Sequence, residues 1–434
     1  MPGKSVIAKR KVCNMTPEVK ERIDQLRHGI VPEGYRKTKA GIVPVDWAEC
    51  AIADCLERVE LPVDVKADEM YTQIGIRSHG KGLFYKEPVN GKSLGNKAVY
   101  WIEPDCFVLN IVFAWEQAIG KTTQAEVGMV GSHRFPMYRP VDGRIDIDYL
   151  ISYLMTKRGK DILEAASPGG AGRNRTLGQD RFMKSKIVLP TPEEQKKIAE
   201  ILTTQDKVIE LKEKILAEKQ RQKKYLMQQL LIGKKHLPGF NGEWDTAPIG
   251  KFLESRNTKQ IPCAEAPLMA FVAGEGVTTK GERYDRSHLV KDDAKKYKRT
   301  ELNDLIYSSN NLDVGSIGLN KYGTAVISVV YEIFKAKENT VPAVISEIIQ
   351  SPKNLHHILS YRQGAFYGQY RIFAEDFLSV PITVPCYEEQ LAIGAVLNVA
   401  NQEIDLLRQN IEHEKQKKKA LMQLLLTGIV RVSA

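Results

Sequence analysis

The chain has 434 residues, 43% hydrophobic and 27% charged, so it is long enough for two or three domains with cores of their own and is no disordered tail. Lys and Arg number 63 against 53 Asp and Glu, a formal charge of +10 that suits nucleic acid or an acidic partner without specifying either. Six cysteines with no CxxC pair exclude a disulfide framework or zinc site, and the basic start lacks a secretory signal's apolar core. No apolar run approaches the roughly 20 residues of a membrane span, so a soluble protein of the reducing cytoplasm is expected.

Along the chain, residues 16–29 read as a short helix within an arm that ends near residue 40. Pro44-Val45-Asp46-Trp47 opens a globular segment, 41–178, with β-prone runs at 98–102 and 107–113 and a helical stretch at 147–157. Two glycine-punctuated polar loops stand out in it, one with Arg77, Ser78, His79 and Lys81, the other with Arg173, Asn174 and Arg175. The strand-like run 186–189 is closed by Pro190, and a helix follows with Glu193 and Glu194 in its first turn, where the helix dipole favours negative charge. Its apolar positions, Ile198, Ile201, Leu202, Val208, Ile209, Ile215, Leu216, Leu226 and Met227, recur at helical spacing, and Gly233 supplies the stop. The middle, 217–225, is nearly all polar. About 40 residues at about 1.5 Å each make a rod of roughly 60 Å.

A second globular segment, 238–373, is entered through Asn241-Gly242-Glu243-Trp244, with β-prone runs at 304–307 and 325–331 and a helix at 341–349. Its polar loops carry Lys296, Tyr297, Lys298 and Arg299, then Ser309, Asn310 and Asn311, then Asn320, Lys321 and Tyr322. Arg reads guanine and Asn reads adenine in the major groove while Lys and Ser position phosphates, so these loops are candidates for approaching DNA, against the plainer reading of solvated loops. A second long helix follows Pro385, with Glu389, Gln390, Ile393, Leu397, Ile404, Ile411 and Leu421, and stops at Gly428.

These two helices are copies. Residues 182–233 align with 377–428 without a gap at an offset of 195, with 18 of 52 positions identical, including Glu193-Glu194-Gln195 and Lys223-Lys224-x-Leu226-Met227-Gln228-x-Leu230-Leu231-x-Gly233. Like helices with like seams can pair, so the predicted object is a pseudo-twofold dumbbell. It comprises two mixed α/β (α+β) domains separated by two long helices in an antiparallel coiled coil, and outside the Trp gateways the domains resemble each other only weakly. Glu194, Gln195, Ile198, Leu202, Ile209, Leu216 and Leu226, with their counterparts in the second copy, are the candidates for the coil and for partner docking.

No catalytic motif survives inspection. The run before Gly120-Lys121-Thr122 has Trp115 where a phosphate-binding loop needs glycine, and Gly91-Lys92-Ser93 fails in the same way with Lys86. The eight histidines show no ligand spacing beyond adjacent His356 and His357, and the methyltransferase tetrapeptide Asn/Asp-Pro-Pro-Tyr/Phe is missing.

Two dissimilar domains, each followed by a helix opened by Glu-Glu-Gln and closed by Lys-Lys-x-Leu-Met-Gln-x-Leu-Leu-x-Gly, resemble the DNA specificity subunit of type I restriction-modification enzymes along nearly the whole chain. Gly34-Tyr35-Arg36-Lys37-Thr38 with residues 41–47 also resembles the family's lead-in to its first recognition domain; Tyr387 departs from the Pro192 of the first copy. The resemblance implies an N-terminal arm (1–40), target-recognition domains at 41–178 and 238–373, each reading half of a split site in double-stranded DNA, and conserved helical regions at 179–237 and 374–434. Those helices would set the half-site spacing and dock two modification (methyltransferase) subunits, with restriction subunits in the full complex. The chain itself is implied to be non-catalytic and to bind no cofactor: S-adenosylmethionine belongs to the modification subunits, ATP and Mg to the restriction subunit. A methyltransferase fused to its own reader, or a plain coiled-coil adaptor, are the alternatives. By segment the charge is +6 in the arm, −2 in the first domain, +6 in 179–237 and +2 in the second domain. Any DNA-facing positive surface on the domains is therefore a local arrangement, and the arm and Lys223-Lys224 are candidates for phosphate or partner contact.

Overall fold

The computed structural model describes residues 16–38, 41–95, 98–169, 175–231, 233, 235–279, 295–312, 315–366 and 369–432. The chain forms two compact units, one from residues 1–212 and 410–434, the other from 213–409, so each unit owns part of both long helices.

In the first unit Thr16 caps the helix Pro17–Arg27, its hydroxyl accepting from the Val19 N–H. A four-stranded antiparallel sheet has the order Ile119–Lys121, Phe107–Leu109, Met137–Pro140, Leu56–Val59. The apolar run 107–113 does not continue as strand past Leu109. The Asn110 carboxamide accepts from the Val112 N–H and turns the chain there. Two helices, Ile147–Leu154 and Lys157–Ala165, cover this sheet, and the strand Lys186–Leu189 pairs with Ala48–Ala51. The core joins Phe107, Tyr138 and Phe182, whose ring centroids lie 6.0–6.4 Å apart, to Ile198 and Leu202 of the first long helix, Pro192–Leu230, and to Leu425 and Leu426 of the second, Tyr387–Leu425 and the turn beyond it.

The second unit repeats this plan. Its sheet runs Ile317–Leu319, Leu305–Ser308, Tyr331–Ala336, Leu253–Ser255, again antiparallel, and in both units the four strands, counted in chain order, lie third, second, fourth, first across the sheet: each hairpin sits beside the last strand, and that strand beside the earliest. Helices Pro342–Ile349 and Pro352–Ser360 stand 195 residues after the first unit's pair, and Asp245–Pro248 pairs with Pro381–Val384 as Ala48–Ala51 does with its partner. The domains that look dissimilar in sequence therefore share one topology, because a sheet and helix pair need only a burial pattern that many residues satisfy. The run 325–331 splits into strands Ala325–Ile327 and Tyr331–Ala336 at a turn in which the Tyr331 N–H meets the Ser328 carbonyl.

Both long helices are 39 residues, and the polar stretch 217–225 interrupts neither the helix nor its register. Pairing is antiparallel within each unit. In the first, Gln205 and Lys212 reach Glu414 and Lys418 reaches Asp206; in the second, Lys219 reaches Glu403 at 2.7 Å. The inward line of the first helix steps 198, 202, 205, 209, 212, 216, the alternation of four and three that a coiled-coil seam requires. Ile201 and Ile215, apolar and at helical spacing in the sequence, fall off this line and are 36% and 49% exposed.

Candidate nucleic-acid interface

In the first unit Ile74–Ile76 and Leu83–Tyr85 form a hairpin whose turn carries Arg77, Ser78, His79 and Lys81. His79 adopts a φ of +62°, followed by Gly80 at +62°, a left-handed bend that aims two successive N–H groups at the carbonyls of Glu116 and Gln117, at 2.8 and 2.9 Å. Ser78 Oγ donates to the Glu116 carboxylate at 2.9 Å. Arg77 lies 4.9 Å over the Phe84 ring and Arg175 lies 5.5 Å over the Trp115 ring. The structure thus gathers the 77–82 turn and Arg175 on the segment 114–117, with Arg77, His79 and Lys81 exposed and Ser78 and Arg175 half-buried. Trp115 and Glu116 were invisible as organisers because nothing in their spacing links them to residue 78 or 175. Arg173 and Asn174 lie outside the described residues.

Burial divides the candidates of the second unit. Lys296, Asn310, Asn311, Lys321 and Tyr322 are exposed. Tyr297 packs in a small core with Ala266 and Val326, and Lys298 points inward, donating to the Glu332 carboxylate and the Tyr331 carbonyl, each at 2.8 Å. Arg299 bonds Gln260 and Glu301. Asn320 has no exposed surface: its amide donates to the Gly323 carbonyl and the Thr300 hydroxyl, and its oxygen accepts from the N–H groups of Tyr322 and Gly323, so it shapes the turn that presents Lys321 and Tyr322. Ser309 is buried, with its carbonyl accepting from the Ile372 N–H. Beside it stands exposed Arg371, 5.4 Å over the Phe373 ring, a cation on an aromatic face outside the polar loops marked by composition. Burial pushes Glu347 above its ordinary range, and the nearby charges of Lys223 and Lys321 oppose that push.

The duplicated Glu-Glu-Gln opens each long helix at a joint. In the first unit buried Glu194 accepts from Trp47 Nε1 at 3.2 Å and from two nitrogens of Arg431 at 2.8 and 2.9 Å, and Arg431 also holds Asp46. Asp46 is held below its usual pKa, chiefly by that hydrogen bond from Arg431. Gln195 accepts from the Asp146 N–H and donates to the carbonyls of Arg144 and Pro190. In the second unit Glu389 accepts from Trp244 Nε1 at 3.1 Å and lies 3.1 Å from His236, while Gln390 accepts from the Val341 N–H and donates to Pro385. These four side chains are engaged within their own units. The Trp gateways and the Glu-Glu-Gln motifs are therefore two ends of one contact, and His236 and Arg431 stand 195 residues apart as its third members.

The remaining coil candidates line the seam. Ile198, Leu202, Ile393 and Leu397 are buried, as are Ile209, Ile404 and Ile411, whereas Leu216, Leu226 and Leu421 are half-buried. Glu414 sits on this seam and its carboxyl is held down at about 2, first by the hydrogen bond from Lys212 and then by that from Gln205. In the first unit a cleft of about 1240 Å³ is lined by Lys415 and, from the closing motif of the second copy, by Lys418, Lys419, Met422 and Gln423, facing the helix Lys157–Ala165. Among the described residues no cluster of three or more His, Cys, Asp or Glu is placed to hold a metal, and no helix is long and apolar enough to cross a membrane.

The family described as type I restriction modification DNA specificity domain matches residues 96–220. A putative type I restriction enzyme MjaX specificity subunit from Methanocaldococcus jannaschii is 24% identical over 433 residues, covering 92% of this chain and 97% of the relative. Two solved structures share the fold. A chain from work on complex assembly and conformational transition of the type I R-M system has a TM-score of 0.55 at 15% identity, covering 89% of this chain and 99% of that one. The type I restriction-modification S subunit from M. genitalium has 0.53 at 10% identity, covering 87% and 96%. Residues 96–220 thus match the type I restriction modification DNA specificity domain, and along nearly its whole length the chain is similar to a putative type I specificity subunit.

Proposed function

We propose that this chain reads a two-part sequence in double-stranded DNA, one part with each domain (41–178 and 238–373), and docks two modification subunits through its helical regions (179–237 and 374–434). One observation carries the proposal: a single scaffold is built twice in one chain with the same joint and helices but different exposed loops. Equal scaffolds suit equal partners, and unequal loops suit two unlike half-sites. For the DNA-facing groups we favour Arg77, Ser78, His79, Lys81 and Arg175 in the first domain and Lys296, Asn310, Asn311, Lys321 and Tyr322 in the second.

Docking is supported by Leu211 and Leu406, which occupy the same repeat position and are 58% and 59% exposed on the helices' outer faces. The cleft beside Lys418 and Lys419 adds a basic rim. In this reading the chain is non-catalytic. S-adenosylmethionine, which donates the methyl group to a flipped adenine, is bound by the modification subunits, and ATP and Mg by a restriction subunit.

Exchanging residues 238–373 for those of a relative and mapping methylated adenines in the assembled complex tests the reading. One half of the methylated sequence should change and the other stay; change in both halves, or in neither, overturns it. Removing four residues from one long helix shortens it by about 6 Å, so at roughly 3.4 Å per base pair the spacer between the halves should shift by one or two pairs.

A further inference from the structure

Cys50 and Cys55 bring their sulfurs within 3.3 Å of each other, although their spacing matches no redox motif. Cys50 lies on the strand Ala48–Ala51 and is half-buried; Cys55 follows the single helical turn Ile52–Asp54 and is 1% exposed. The turn that joins them is tightly held. The Asp54 carboxylate accepts from the Ala51 N–H at 2.8 Å, the Cys55 N–H meets the Ile52 carbonyl at 3.0 Å, and the Ile52 N–H meets the Ser185 carbonyl at 3.0 Å. Two thiols on a corner fixed in this way remain neighbours without further ordering, and disulfide formation depends on that proximity.

We propose that Cys50 and Cys55 are a reversible dithiol site that exchanges with small disulfides of the glutathione class and closes into an intramolecular disulfide. Cys50, the more accessible sulfur, attacks one sulfur of RS–SR as its thiolate; that S–S bond breaks, RS⁻ leaves, and a Cys50–SR mixed disulfide forms. Cys55 then attacks Cys50 Sγ, forming the protein S–S bond and expelling the second RS⁻. The two thiol protons end on the two RS⁻ groups, so the protein is oxidised by two electrons and RS–SR is reduced to two RSH. The two thiols share a proton across this contact, which raises the pKa of Cys50 and lowers that of Cys55, so the order of attack rests on the accessibility of Cys50 and not on acidity. Cys106 is fully buried, and Cys263 and Cys386 are exposed, so the latter two serve as references for accessible thiols.

The test uses the full-length reduced protein, exposed to oxidised glutathione, quenched in acid, denatured, alkylated and cleaved before Asp54, which separates the two cysteines unless they are crosslinked. The expected result is a Cys50–Cys55 fragment pair lighter by two hydrogens and restored by dithiothreitol, while Cys263 and Cys386 carry glutathione as mixed disulfides. Both thiols alkylated under conditions that modify Cys263 and Cys386, or glutathione held stably on Cys50 beside a free Cys55, overturns the proposal. In Cys55→Ser the mixed disulfide should persist on Cys50, with at least a tenfold longer lifetime than in the parent chain. In Cys50→Ser, Cys55 should stay unmodified, and rapid glutathionylation of it would contradict the assigned order of attack.

Discussion

The joints at the two helix starts have the same tryptophan and the same glutamate but a different third member. In the first unit Arg431 grips Glu194 with two nitrogens and Asp46 with two more bonds, and Trp47 is 2% exposed. In the second, His236 makes a single-sided contact with Glu389, no aspartate among the described residues joins, and Trp244 is half-buried. A planar guanidinium satisfies two carboxylates at once, whereas an imidazole reaches one and is charged only when protonated. The duplication preserved the position of the joint and let its strength diverge. The first unit also closes its joint with the chain's two ends: Arg22 donates to the Ile429 carbonyl and Tyr35 to that of Gly428, where the second unit uses one continuous segment.

Four measurements probe that asymmetry. The largest effect should come from Glu194→Ala, which leaves the Trp47 N–H without its acceptor and the Arg431 guanidinium with Asp46 as its remaining partner, and should cost about 3 kcal/mol. Glu389→Ala should cost about half as much. Hydrogen exchange over 186–202 and 381–397 would register the two separately, and equal losses would erase the contrast. Next comes glycine. At Gly428, with φ of +71°, an added Cβ would meet the Pro44 ring at 2.6 Å and Trp47 at 3.2 Å, while at Gly233, φ of +67°, it would meet only Trp244 at 3.4 Å. Gly428→Ala should therefore destabilise by about 2 kcal/mol and Gly233→Ala by about 1 kcal/mol, read as urea midpoints.

The third member can be exchanged. Arg431→His should weaken the first joint by about 1 kcal/mol, and His236→Arg should strengthen the second by supplying a guanidinium that can bond Glu389 with two nitrogens. Thermal unfolding midpoints should shift in opposite directions for the two variants. The smallest effect concerns the seam. The Glu414 carboxyl has its folded pKa lowered from 4.5 to about 2, so its contribution is fully present above about pH 4.5 and is lost as pH falls towards 2. Glu414→Gln should cost under about 1 kcal/mol at pH 6, and the gap from the parent chain should close as the pH drops through that window.

The long helices, their stops at Gly233 and Gly428 and their antiparallel pairing were legible because identical residues recur at one offset and period. The joints were not: Trp47 and Glu194 are 147 residues apart and Glu194 and Arg431 are 237 apart, and no local pattern announces such contacts. Loop composition likewise gave no direction to a side chain. Lys298 and Lys296 read alike in sequence, yet one is buried on Glu332 and the other is exposed. Ile201 and Leu202 both look apolar, and only the 3.5-residue stepping of a paired seam separates them.

By itself, then, the sequence determined the duplication and the two helices, because repeats and helical periodicity are one-dimensional signals carried by near neighbours. The shared sheet topology, the Trp–Glu joints, the inward turn of Lys298 and Asn320 and the meeting of Cys50 with Cys55 were decided only by tertiary structure. Each depends on which of several chemically equivalent side chains the packed core leaves facing inward.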